Sequence, residues 1–312
     1  MLFRSTELAP EDGGARADLA TALLLGGRRD EARARAAELA QLDPDDKRLA
    51  RGRLFTLHMA LGDLAEAELD ARRQLSGSPR QRAEGLSEGA LIDLYWGRFD
   101  AGVRGLLASA DAYDAIGATV AAARQRSIAG RQAWLLGDRA AAVAAFQQVA
   151  ASPTHYAPIA RILGSIAAGK LDDARARAAA MPADSVERAS ADLAIADAAH
   201  DPGRVLAAFA RVEALSAAIE QLFPVAEALE RSGRLDEAAK MFERIAGNAH
   251  AWIEPIASTR AWYRLGRLRD RAADAAAARD AFGEVLRRWG NATARTAEVD
   301  DARRRLRALS AR

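Results

Sequence analysis

The stretch Gly233-Arg-Leu-Asp-Glu-Ala238-Ala-Lys-Met-Phe242 decides how this chain reads. A glycine is followed by a small residue five positions on and a bulky one four positions later. The same frame recurs at Gly27/Ala32, Gly62/Ala67, Gly97/Gly102, Gly137/Ala142 and Gly169/Ala174. Two degenerate copies fit it, with His200/Val205 and Ala273/Ala278 in the same roles. The starts are 27, 62, 97, 137, 169, 200, 233 and 273, at intervals of 35, 35, 40, 32, 31, 33 and 40. A period of this length marks stacked helix pairs, each too small to bury an apolar face alone.

Each unit reads as helix A, a tight turn at the glycine, and helix B. A glycine after a helix supplies the left-handed backbone that ends it. In the first unit, helix A is expected at 15–25 and helix B at 29–42, with Asp30 and Glu31 in the first turn of B, where negative charge suits the helix dipole. The small residue of each frame is expected to face helix A at close approach, because a packed interior resists even one extra methylene. The bulky position holds Phe146, Phe209, Phe242 and Phe282 in four units, where the ring is expected to plug the gap to the next helix A. The two 40-residue intervals predict longer helices, at 79–96, 98–115, 118–136 and 250–272, extending past the packed seam. A last helix near 295–310 places Glu298, Asp300 and Asp301 before Arg303, Arg304, Arg305 and Arg307, a dipole-matched order. It is expected to cap the open end of the array.

The fold class is therefore all-α, a right-handed α-α superhelix of about eight helix pairs with a C-terminal capping helix. The expected organisation is an array over 15–292 and a cap over 293–312. Leu8-Ala-Pro10-Glu-Asp12 echoes Leu42-Asp-Pro44-Asp-Asp46, so residues 1–14 read as the tail of a preceding repeat in an array that begins upstream.

Composition narrows the function classes. The chain has 312 residues, a net charge of +2 and no cysteine, which excludes disulfides and thiolate chemistry. Arginine alternates with Asp and Glu, as on solvated helix faces, rather than gathering into a basic stripe, so nucleic acid is not an expected partner. No apolar run reaches the ~18 residues of a membrane span, and a cytoplasmic location is expected.

The chemical motifs are weak. Gly85-Leu-Ser87-Glu-Gly89 matches the hydrolase nucleophile elbow, which needs a strand before it, whereas Ser78-Pro79 here opens a helix. His58, His155, His200 and His250 share no ligand spacing. The acid pairs Asp45-Asp46, Asp172-Asp173 and Asp300-Asp301 suit helix N-termini. Neither a cofactor nor a metal is expected, nor an enzymatic activity. Trp134 and Trp262 fall in A helices and Trp289 at the end of a B helix; with Trp96 and Trp252 they are weighed as packing residues against an aromatic ligand cage.

The pattern resembles the tetratricopeptide repeat. Its helix B signature is met by Ala238-x-x-x-Phe242-x-x-Ile245 and Ala278-x-x-x-Phe282-x-x-Val285, its helix A signature by Trp262, Leu265 and Gly266, and its closing proline by Pro44 and Pro79. The last unit, with Tyr263, Trp289 and Val299-x-x-Ala302-Arg303, is similar to the terminal repeat of large bacterial signalling proteins, which carry kinase, adenylate cyclase or winged-helix domains upstream. The resemblance implies a non-catalytic scaffold for a protein or peptide partner, as the tail of such a protein or as a free-standing repeat protein in assembly or trafficking, with an all-α enzyme or nucleic-acid binder as the remote alternative. It implies a peptide groove along the A helices, lined in the third unit by Glu84, Ser87 and Leu91 and in the fourth by Arg124, Ser127 and Arg131. The Lys/Asn clamp of chaperone-binding members is missing, with Ala17, Thr21, Gly52 and Thr56 at its positions.

Overall fold

In the computed structural model, residues 13–40, 51–215, 219–248, 251–294 and 296–311 are described. The echo at 6–12, Pro44, Asp45-Asp46, His250 and most of the segment assigned to the preceding repeat lie outside them. Seventeen α-helices run in order among the described residues. The A helices are α1 (Gly13–Leu25), α3 (Arg51–Leu61), α5 (Pro79–Tyr95), α7 (Thr119–Leu136), α9 (Ala157–Ala167), α11 (Val186–Ala198), α13 (Ile219–Arg231) and α15 (Pro255–Arg271). Their B partners are α2 (Arg29–Ala40), α4 (Leu64–Leu75), α6 (Phe99–Asp114), α8 (Arg139–Ala150), α10 (Leu171–Ala179), α12 (Pro202–Leu215), α14 (Leu235–Ala246) and α16 (Ala275–Trp289). A last helix, α17 (Ala297–Ser310), follows. Each helix packs on the next in sequence, which gives an all-α superhelix of eight helix pairs with a terminal cap among the described residues.

The turn between A and B is the same in every unit. Gly27, Gly62, Gly97, Gly137, Gly169 and Gly233 all have positive φ, and so do His200 (φ 56°) and Ala273 (φ 60°) in the two degenerate copies. The amide of Gly97 donates to the Leu94 carbonyl (3.2 Å), and that of Arg98 to the Asp93 carbonyl (2.8 Å). These paired bonds form the Schellman closure, satisfying carbonyls that the helix end leaves open. His200 and Ala273 make the same bonds, with Asp201 donating to Ala196 and Asp274 to Arg269.

The small positions Ala32, Ala67, Gly102, Ala142, Ala174, Val205, Ala238 and Ala278 are all buried. The bulky positions Phe146, Phe209, Phe242 and Phe282 are buried too. The Phe146 ring lies over Gly130 of its own helix A, where a Cβ would come within 2.8 Å of the ring, and Phe146 shares a core cluster with Ala167 and Leu163 of the next A helix. It thus fills the seam between consecutive pairs, as the spacing predicts. Polar bonds set the register between A helices. Ser87 on α5 donates to Gln125 on α7 (3.0 Å), Arg231 on α13 to Asp197 on α11 (3.2 Å), and Arg264 on α15 to Glu227 on α13 (2.7 Å).

The long helices depart from expectation. They do not project past the seam. The A helix α15 packs against α5 and α7, two of the other long A helices. The cluster containing Leu94, Phe99, Leu106 and Ile128 of the third and fourth pairs also contains Ile256, Phe282, Val285 and Trp289 of the eighth and Val299, Ala302 and Leu309 of α17. Trp289 is 1 % exposed and meets Phe99 edge to face at 5.1 Å. The amide of Thr293 donates to the Gly97 carbonyl (3.2 Å), and Arg287 donates to the Tyr95 hydroxyl (2.7 Å). The array therefore curls until its last pair closes on its third and fourth.

The cap α17 is held by charge as well as by this core. Arg260 of α15 pairs with Glu298 (3.0 Å), and Arg305 pairs with Asp270 (2.8 Å). Burial pushes the Asp301 carboxyl up, but hydrogen bonds from Arg305, Arg304 and Tyr263 outweigh it and hold the group at about 2.

Candidate interaction surface

Six residues on α5 and α7 are the sequence's candidates for a peptide groove, and the bond from Ser87 to Gln125 links these two helices. Ser87, Leu91 and Ser127 are buried. Ser87 spends its hydroxyl on Gln125. Glu84 is half-buried and pairs with Arg80 (3.2 Å), while Arg124 faces solvent. Arg131 binds Glu254 by two bonds to one carboxylate oxygen, from Nη2 at 2.7 Å and Nε at 3.2 Å. The other oxygen accepts from Gln132 Nε2 at 2.6 Å. Glu254 is 2 % exposed and Gln132 fully buried. A buried carboxylate must be paired to be tolerated, and this one is bound at both oxygens by charge-assisted or amide donors.

Glu254 ends a short connector. Ala251–Ile253 form a 3₁₀ turn just before α15, whose first residue is Pro255. The turn packs against α3 and α5. Trp252 meets Phe55 of α3 edge to face at 5.3 Å and lies on the cluster of Phe55, Met59, Ile92 and Tyr95. Its Nε1 is buried without an acceptor among the described residues. The face of α3, α5 and α7 is thus occupied by residues 251–254 of the same chain. Glu254, Phe55 and Gln132 escape the sequence reading, which weighs Trp252 as packing against a ligand cage without placing it on α3. The pair Glu254-Pro255 looks like an ordinary helix start, yet the Glu254 carboxylate caps nothing there. It reaches a partner 123 positions away, which no local pattern could announce.

A second group of buried polar residues joins the second and third pairs. His58 Nδ1 lies 2.7 Å from Asp70 Oδ2. Gln74 hydrogen-bonds Glu88, which burial first, and the charges of Glu84 and Asp70 second, push up to about 9. Glu88 is therefore a neutral acid at pH 7, locked between helices. Ser87, beside it, lies within α5 and forms no elbow. His155 stacks on Tyr156, with ring centroids 4.1 Å apart, and His200 occupies a turn. Among the described residues no group of three or more His, Cys, Asp or Glu is arranged to hold a metal. No described helix is long and apolar enough to cross a membrane. The tryptophans serve packing: Trp134 lies on the core of the fifth and sixth pairs, and Trp289 at the closure.

An open crevice of about 260 Å³ lies between α8, α9 and α10. Phe146 and Gly164 form part of its lining, with Arg161, Lys170 and Arg177 at its edge. Asp173 sits among these cations, hydrogen-bonded by Arg177 (2.9 Å) and Ser165 (2.5 Å), and these bonds hold its carboxyl below the usual range.

No protein-family model matches this chain, and no curated protein matches it. Among solved structures, the chain is similar to the P58(IPK) TPR domain at 18% identity, over 88% of this chain and 83% of that one, with a TM-score of 0.27. It is similar to yeast Tom70 at 13% identity, over 99% of this chain and 91% of that one, with a TM-score of 0.30. At such scores neither likeness carries an inference, and the architecture rests on the chain's own helix contacts.

Proposed function

We propose that this chain is a non-catalytic protein-interaction scaffold, the regulatory or adaptor portion of a larger bacterial signalling protein acting in the cytoplasm. Its array is assigned to residues 15–292 and its cap to 293–312. The observation that carries the reading is the use made of the interior polar groups. Ser87, Arg131, Glu254, His58 and Asp70 are each engaged by a side chain of a neighbouring helix or connector, so they build the stack rather than present a reactive group. A stack of helix pairs offers broad, shaped surfaces at little cost in core.

The expected partner is a protein or peptide. Arginines are largely matched by nearby acids, as in Arg28–Glu31, Arg72–Glu68 and Arg234–Glu237, which speaks against a phosphate-tracking stripe. The test is in-cell cross-linking of the tagged full-length gene product, followed by binding of the purified chain to the captured protein. A saturable one-to-one complex supports the scaffold. A turnover activity of the purified chain that vanishes on changing one polar residue would overturn it. The signalling assignment requires the genomic frame upstream to encode a kinase, cyclase or winged-helix domain. A reading frame without one refutes that part alone.

A further inference from the structure

The connector at 251–254 does what a bound ligand would do. Four consecutive residues touch the A helices of three successive pairs: Trp252 on Phe55 of α3, the 3₁₀ turn on α5, and Glu254 on Arg131 and Gln132 of α7. The contacts are made by side chains in two sub-sites, one aromatic and one cationic. The aromatic sub-site is built from Phe55, Met59, Ile92 and Tyr95. The cationic sub-site is Arg131 with the Gln132 amide, and it closes on both carboxylate oxygens.

The connector is not the sole tie that closes the curled array. Trp289 on Phe99, Thr293 on Gly97 and Arg287 on Tyr95 join the last pair to the third without it. Its own fit is incomplete, because Trp252 buries its Nε1 without an acceptor among the described residues and stays partly exposed. An unmatched buried donor weakens an occupant relative to a competitor that lacks the donor or satisfies it.

We infer that the face of α3, α5 and α7 is a peptide site held closed by the chain's own residues 251–254, and that it accepts a partner segment bearing a large aromatic followed two residues later by a carboxylate. This deepens the scaffold reading and rests on it. It makes the site self-inhibited: a partner binds only by displacing the connector, so its apparent affinity is reduced by the fraction of chains in which the connector is out.

The test uses the full chain and a fluorescein-labelled peptide of sequence Ala-Trp-Ile-Glu-Pro-Ile, read by anisotropy. The wild-type chain is compared with Trp252→Ala/Glu254→Gln, which empties both sub-sites. The variant should bind the peptide at least about tenfold more tightly than the wild type. Adding Arg131→Ala, or replacing the peptide's Glu by Gln, should abolish the gain. A variant that keeps its helical circular dichroism and yet binds no more tightly than wild type overturns the proposal. Should the variant lose its helicity, the wild type is instead saturated with unlabelled peptide and followed by hydrogen exchange. Faster exchange at 251–256 supports displacement, and unchanged exchange at millimolar peptide overturns it. Failure here leaves the scaffold reading standing, because that reading is tested by complexes formed on any surface.

Discussion

At the scale of single residues, two positions work against their own chemistry. His200 and Ala273 stand where six other units place glycine, and both adopt the left-handed backbone that L side chains disfavour. A left-handed conformation costs a residue with a Cβ roughly 1–2 kcal/mol relative to the right-handed one. Ala273→Gly is therefore expected to raise stability by about 1 kcal/mol, net of the entropy glycine adds to the unfolded chain. Urea midpoints measure it, and a lower midpoint for the variant contradicts the turn assignment. Glu88 is held against its chemistry in another way, by burial. Its folded proton affinity, near pH 9, lies above the ordinary carboxyl value of 4.5. Below pH 4.5 both states hold the proton. Between 4.5 and 9 only the unfolded chain releases it, so the contribution to stability is lost as pH rises through that window. Glu88→Gln removes this slope. The stability of wild type relative to the variant should fall from pH 5 to pH 9, and an equal gap at both pH values would rule out a buried neutral acid.

At the scale of elements, glycine inside a helix has opposite meanings at different sites. Gly102 on α6 lies where a Cβ would come within 2.4 Å of Leu94 and 2.9 Å of the Ala90 carbonyl. Gly283 on α16 has no atom of the described residues, its own stretch of helix aside, within 4 Å of that position. Gly102→Ala is expected to destabilise by about 1–3 kcal/mol through overpacking, beyond the ~1 kcal/mol that alanine returns in helix propensity. Gly283→Ala is expected to stabilise by about that propensity alone. Thermal unfolding of the two variants side by side checks the close approach of A and B helices. Two shifts of the same sign would refute it. Helix starts follow local chemistry as plainly. Ser78 accepts from the Gln81 amide while Gln81 accepts from the Ser78 amide, a reciprocal cap with Pro79 in the first turn.

At the scale of the whole molecule, the closure changes how stability is shared. In an open solenoid each repeat answers only to its neighbours. Here Trp289 and Phe282 share a core with Leu94, Phe99 and Ile128. Trp289→Ala should cost about 3–5 kcal/mol as a buried aromatic deletion. It should also speed hydrogen exchange in α5 and α6, far away in sequence. Exchange confined to α15, α16 and α17 would show that the array behaves as open. The sequence by itself determined the eight units, their left-handed turns, the small residues at each A–B contact and the terminal cap. Each of these follows from steric and dipolar rules that act within one repeat, and the recurrence of Gly, Ala and Phe makes them visible. A groove face on α5 and α7, lined by Glu84, Ser87, Leu91, Arg124, Ser127 and Arg131, is implied only by the family resemblance, and of these residues Ser87, Leu91 and Ser127 are buried while Arg124 is exposed. That this face is covered was decided only by tertiary structure. Glu254 meets Arg131 across 123 positions, and Thr293 meets Gly97 across 196. Such contacts depend on the summed curvature of many repeats, a quantity that no single repeat encodes.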